Sequence, residues 1–172
     1  ACEAFARAHG LELVFDAAHG FGSRYAGTGT DGGGGTRVGT CGTAEVFSLH
    51  ATKLLNSFEG GIVTTDNDTI AARVRAARPF RIAGQDYHTR GGTNAKLSEP
   101  SAALALRHLR HIEGTLDAYR ERAHWYNCEL RARGLVGGAC AGLELWNASR
   151  LGDAACTHAY VCVRVRRQHL GL

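Results

Sequence analysis

At 172 residues, with 44% hydrophobic and 21% charged side chains, the chain has room for a core-bearing domain and is neither a disordered tail nor a fibre. The net charge of +4 and pI near 8.9 are mildly basic, and acids stand between the arginines along the chain. That pattern argues against a nucleic-acid partner and leaves an anionic small substrate compatible.

The six cysteines, Cys2, Cys41, Cys128, Cys140, Cys156 and Cys162, form no C-x-x-C pair and keep no regular spacing. This speaks against a zinc ribbon or a disulfide scaffold and for reduced thiols in a cytoplasmic setting. There is no apolar run of about 18 residues, so no membrane partner is expected, and no signal peptide opens the chain. Methionine is absent altogether, which suggests a piece of a longer or processed chain.

In chain order, residues 1–9 read as the end of a helix stopped by Gly10. "LELVF", 11–15, reads as a short strand with Asp16 at its C-terminal end, and residues 25–42 as a glycine-rich loop. Within that loop "GGGG" lacks the G-K-[ST] or G-x-G-x-x-G context of a phosphate loop. Strands are expected at 45–48 and 62–65, the latter closed by the turn residues "DND", and a helix at 69–78. Residues 80–97 are irregular, rich in Gly, Thr and Asn.

A longer helical region follows, with Leu109, Ile112, Leu116, Tyr119, Ala123, Tyr126 and Leu130 recurring at steps of three and four, so that they form one apolar face. Gly114 marks a possible break. His108 and His111 are expected on the solvated face, and no metal site is expected. Residues 158–165 alternate like a half-buried strand. Strands alternating with helices indicate an α/β chain with a largely parallel sheet.

Ligands of such sheets collect outside the carboxyl ends of the strands. Asp16 and the loop from Ser48 to Lys53 fall at such ends, so an acid, a hydroxyl and an amine can converge on one crevice. A lysine amine attacks a carbonyl only once its proton can be removed. Pyridoxal phosphate offers such a carbonyl, a ring that accepts electrons best when a carboxylate keeps its nitrogen protonated, and a phosphate that needs hydroxyl and N–H donors. Lysine, carboxylate and serine are the residue types this chemistry requires.

The wording of three segments is more specific. "VFDAAHGFGSRYAG", "VGTCGTAEVFSLHATKLLNSFEGGIVTTDND" and "GGTNAKLSEPSAALAL" together resemble the DegT/DnrJ/EryC1/StrS family of sugar aminotransferases, which are fold-type I pyridoxal-phosphate enzymes. The resemblance runs from about residue 11 to 126, in the family's order. It implies an αβα sandwich around a mostly parallel mixed sheet, a smaller C-terminal α+β domain, and a homodimer with shared active sites. On that pattern residues 1–112 correspond to the C-terminal portion of the large cofactor-binding domain. Residues 113–172 correspond to a connecting helix and the start of the small domain.

By resemblance, Asp16 matches the carboxylate facing the pyridinium nitrogen, and His19 the residue near the cofactor ring and its phenolic oxygen. Ser48 matches a phosphate ligand, Lys53 the lysine that holds the cofactor, and Asn94 the asparagine that reaches the phosphate of the partner subunit's cofactor. His50, inside the motif, reads equally well as a residue packing the loop. The family's N-terminal portion and most of its small domain find no counterpart here, so a catalytically incomplete piece is one alternative, and a non-catalytic sensor or regulator that keeps the fold and binds a ligand is another. Some dehydratase members carry histidine in place of the lysine, and Lys53 therefore favours transamination. The implied reaction converts a nucleotide-linked keto-sugar to an amino-sugar with an amino-acid donor, glutamate in most of the family.

Overall fold

The computed structural model describes residues 2–25, 35–80, 82–83, 86–87, 91–137, 142–145, 157 and 160–165. Part of the glycine-rich loop, part of the 80–97 segment, Cys140, Cys156 and the start of the last expected strand lie outside them. In order, the elements are α1 (Cys2–Ala8), β1 (Val14–Asp16), β2 (Ala44–Ser48), β3 (Gly61–Thr64), α2 (Asp68–Ala77), β4 (Ile82–Ala83) and β5 (Asp86–Tyr87). They continue with α3 (Glu99–Leu109), α4 (Ile112–Ala132), β6 (Leu143–Leu145) and β7 (Val163–Val165).

Local chemistry sets the helix starts. Before α2, the Asn67 side chain accepts from the backbone N–H groups of Thr69 and Ile70 at 3.0 and 3.2 Å. Before α3, the Ser98 hydroxyl accepts from the Ser101 N–H at 3.3 Å, with Pro100 in the first turn, where its missing N–H costs nothing. The break in the long helical region falls between Leu109 and Ile112. Gly114, which the sequence offered as the break, lies inside α4. Leu109 and Tyr126, counted on the apolar stripe, are 45% and 46% exposed, whereas Leu116 is buried.

The chain forms two units. The first comprises residues 1–21 and 38–110, and the second residues 22–37 and 111–172. The first contains a mixed three-stranded sheet in the order β1-β2-β3. β1 pairs with β2 in parallel, Asp16 opposite Val46, and β2 pairs with β3 antiparallel, Ser48 opposite Gly61. The reversal arises because the segment between β2 and β3 turns back without a helix.

The central strand alternates: Glu45 and Phe47 are buried, whereas Val46 is 40% exposed. Phe47 meets Phe21 edge to face, ring centroids 5.7 Å apart. In the second unit, Leu116, Val136 and Thr157 are buried, and β6 pairs antiparallel with β7. Gly22, at φ +80°, leaves room for Leu116, whose Cδ2 would lie 2.8 Å from an added Cβ. Among the described residues no helix is long and apolar enough to cross a membrane.

Glu45 was invisible as a structural residue in the sequence. Its carboxylate is fully buried and accepts the Cys41 N–H at 2.7 Å, pinning the turn that leads into β2. A buried acceptor of this kind leaves a stranded donor if it is deleted. Glu45→Ala is expected to lower the unfolding free energy by about 1–3 kcal/mol, with Glu45→Gln, which keeps an oxygen acceptor, losing less. Chemical denaturation of the two variants checks this.

Cys41 reports the same turn. Desolvation by burial pushes its thiol upward, the carboxylates of Glu3 and Glu45 add to the rise, and a side-chain hydrogen bond with Thr40 opposes it. Because the thiolate is the nucleophile, alkylation of Cys41 should set in at higher pH than that of the exposed Cys2, Cys128 and Cys162. Glu45→Gln should move the Cys41 profile towards lower pH. Peptide mass spectrometry after timed iodoacetamide treatment reads both effects.

Candidate active site

Because β1 and β2 run parallel, their C-terminal ends lie at one edge of the sheet. Asp16 closes β1, and the Ala17 N–H carries the ladder one step further by donating to the Val46 carbonyl at 2.8 Å. The Asp16 carboxylate accepts the Ala18 N–H at 3.0 Å, an Asx turn that bends the chain at the strand end. The Gly20 N–H then donates to the Ala17 carbonyl at 2.8 Å. A Cβ at Gly20 would stand 2.9 Å from Val38 Cγ1, so the turn needs glycine for this close approach. His19 sits at the top of that turn.

Ser48 ends β2, and its hydroxyl oxygen accepts the His50 N–H at 3.2 Å. The chain then runs through a loop, 49–60, closed by its own backbone. The Leu49 N–H donates to the Gly60 carbonyl at 2.8 Å, and the Ser57 N–H to the Leu49 carbonyl at 2.9 Å. Leu49 and Leu55 are buried, each contributing about 1.5–3 kcal/mol of apolar burial. Ser57 is buried too, and its hydroxyl donates to the Glu59 carbonyl at 3.0 Å. His50 works within the loop: its Nδ1 lies 2.9 Å from Thr52 Oγ1 and its Nε2 3.6 Å from Glu59 Oε1. Phe58 holds φ +68° with its side chain exposed.

This loop carries Lys53, which is partly buried. Its Nζ lies 2.8 Å from His19 Nε2 and 3.5 Å from His19 Nδ1. An ammonium has no lone pair to offer, so Nε2 is the acceptor of the shorter contact and the ring proton belongs on Nδ1. The amine thus faces a base rather than a carboxylate that would lock it in an ion pair. Lys53 and His19 are in direct contact, Asp16 stands three residues before His19 on the same turn, and Ser48 ends the adjacent strand.

Asn94 is placed differently. Its backbone bridges Pro79, and its neighbours Thr93 and Ala95 donate their N–H groups to the Ala77 and Arg78 carbonyls at the end of α2. Two residues outside the candidate set meet the lysine loop, Asn56 within it and His108 from α3. The Asn56 side chain donates to the Lys53 carbonyl at 3.1 Å, and the His108 ring lies 3.0 Å from the Asn56 carbonyl through Nδ1. His108, expected on a solvated face, is partly buried, and only its separation of 52 residues from Asn56 hid the pairing.

The donor set fits pyridoxal phosphate. It supplies an amine beside a hydrogen-bond acceptor, a carboxylate at a strand end, and a serine whose oxygen already accepts a backbone N–H, leaving its proton for an outside acceptor.

The mixed α/β fold is that of the fold-type I pyridoxal-phosphate enzymes. A sequence model of the DegT/DnrJ/EryC1/StrS aminotransferase family matches residues 1–144, and the chain belongs to that family. The erythromycin biosynthesis sensory transduction protein EryC1 of Saccharopolyspora erythraea is 34% identical over 132 residues, 76% of this chain and 34% of its own length. A pleiotropic regulatory protein of Geobacillus stearothermophilus is 32% identical over 127 residues, 73% of this chain and 32% of its own. The structure of DesI, determined in the presence of its TDP-sugar product, superposes with a TM-score of 0.77 at 36% identity. That match covers 96% of this chain and 38% of DesI. The chain therefore spans about a third of the length of the curated relatives it matches. The family's aminotransferases depend on pyridoxal phosphate.

Proposed function

We propose that the protein is a pyridoxal-phosphate-dependent aminotransferase that turns a nucleotide-linked keto-sugar into an amino-sugar. The amino group would come from an amino acid, glutamate before others, and the enzyme would work in the cytoplasm as a homodimer. The observation that carries this reading is the 2.8 Å contact between Lys53 Nζ and His19 Nε2 at the strand edge bearing Asp16 and Ser48. The DesI relative, described with a TDP-sugar product, supports a nucleotide sugar as the substrate class.

When bound, the cofactor supplies a carbonyl and a ring able to accept the electron pair released from a substrate carbon. Lys53 would hold it through Nζ, and the same atom would take and return the substrate's proton. His19 would accept a hydrogen bond from Lys53 Nζ and hold the amine in place. Asp16 would hold a proton on the ring nitrogen, because an opposite charge a few ångströms away favours the charged form. Ser48 would donate its hydroxyl to the phosphate, and Asn94 would donate its side-chain amide to the phosphate in the partner subunit's site.

The names of the two curated relatives, one regulatory and one sensory, favour a second reading: a sensor that binds the cofactor without turning over. Incubation with a keto-sugar nucleotide and glutamate separates the two, since only the enzyme forms an amino-sugar detectable by mass spectrometry. Borohydride treatment of the cofactor-loaded protein should fix the cofactor to Lys53. Lys53→Ala should lower turnover by on the order of 10²–10⁴-fold or more, as expected for loss of a positioned proton-transfer group. Asp16→Asn should still bind cofactor, seen by absorbance, while turnover falls sharply.

The shared site is checked by mixing. Lys53→Ala and Asn94→Ala subunits, each impaired alone, should regain partial activity on subunit exchange, because the hybrid has one site with both lesions and one with neither. No recovery, with wild-type subunits surviving the same treatment, would falsify the shared site.

A further inference from the structure

We infer that His108 and Asn56 are positioning residues for Lys53, fixing the lysine's backbone from α3; the inference rests on the reading of Lys53 as the reactive amine. A lysine places its amine at the end of a flexible four-carbon stem, so the position of Nζ is only as definite as that of the backbone and of whatever the amine touches. In this protein both backbone groups of Lys53 are bonded. Its N–H donates to the His50 carbonyl at 2.9 Å, and its carbonyl accepts the Asn56 side-chain amide at 3.1 Å. Its amine meets His19 at the other end. The stem is thus held at its root by the loop and at its tip by the turn after β1.

Asn56 cannot fix the root unless something fixes Asn56. That role falls to α3: His108 Nδ1 lies 3.0 Å from the Asn56 carbonyl. A carbonyl only accepts, so Nδ1 carries the proton, as it does both in one neutral tautomer and in the imidazolium. His108 shares the more covered side of α3 with Ser101, Leu104 and Ala105, at spacings of three, four and seven, so helix and histidine are aimed together. The path is continuous, from α3 through His108 and the Asn56 carbonyl, then from the Asn56 amide to the Lys53 carbonyl.

A purely structural bond would stabilise the protein without touching the reactivity of one amine, and this separates the two cases. His108→Leu removes the donor at similar bulk, whereas His108→Asn keeps a donor at the place of Nδ1. Asn56→Asp is a second probe, replacing the amide donor with a carboxylate that cannot donate to the Lys53 carbonyl. The probe molecule is pyridoxal phosphate, trapped on the intact protein by borohydride at short times and mapped by peptide mass spectrometry. Lys96, whose ammonium lies 4.5 Å from the centroid of the Phe80 ring, is an internal control in each sample. Amide hydrogen exchange of the 49–58 peptide reads the clamp without any cofactor.

With His108→Leu and with Asn56→Asp, exchange in the 49–58 peptide should rise. Trapping at Lys53 should slow by on the order of 10- to 100-fold, the scale of a misplacement of about an ångström, while trapping at Lys96 stays unchanged. His108→Asn should restore most of the rate. Unchanged exchange and unchanged Lys53 trapping in both variants would overturn the inference, as would equal loss at Lys53 and Lys96. If wild-type protein shows no preference for Lys53 over Lys96, the reading of Lys53 itself falls and the positioning role falls with it, whatever exchange reports.

Discussion

Both backbone groups of Leu49 are committed across a single loop, its N–H to Gly60 and its carbonyl to Ser57. The rest of the site depends on that double closure. It turns the chain back so that β3 returns antiparallel to β2, and it draws Ser57 and Leu55 out of solvent. It also leaves so little slack that Gly60 takes φ +142° and Phe58 φ +68°. A phenylalanine in the left-handed region costs about 1–3 kcal/mol, which the buried leucines and the two closing hydrogen bonds can offset. Lys53 is carried on a loop closed in this way.

The sheet divides its labour by face. On β2, Glu45 and Phe47 point to the covered side, and Val46 points to the other. Through the register, Val46 lies opposite both Asp16 and Val63, so Asp16 shares the more open face and Ser48 follows two residues along. The period of two that buries the core residues therefore also delivers the acid and the hydroxyl to one side. Burial of Glu45 is tolerated because its oxygen holds a turn, so a group that looks like a liability organises the entry to the strand next to the site.

Much of this was legible in the sequence, and what was missed has a common cause. The turn residues at 66–68, the stop at Gly10 and the strand ends at Asp16 and Ser48 are local signals, and the elements start or stop beside those residues. The antiparallel return of β3 was not legible, because a strand carries no mark of the direction of its neighbour. The break after Leu109 was displaced to Gly114, since a glycine is tolerated within a helix whose neighbours pack. The contacts of His108, which was assigned to a solvated face, and of Asn56 and Glu45 were missed because their partners are backbone groups, one of them 52 residues away, and a carbonyl or N–H leaves no trace in side-chain spacing.

The chain carries 20 basic residues apart from histidine, and only Lys53 and Lys96 among them are lysines. Arginine does not give up its proton under ordinary conditions, so eighteen of these cations cannot condense with an aldehyde. Lys96 lays its ammonium on the Phe80 ring, whose face attracts a cation and offers nothing to a neutral amine. Lys53 instead rests against an imidazole nitrogen that accepts its hydrogen bond. Solubility and reactivity are thereby assigned to different chemical groups: the surface keeps its positive charge, yet a carbonyl compound meeting these side chains finds little competition for the one amine held against an imidazole.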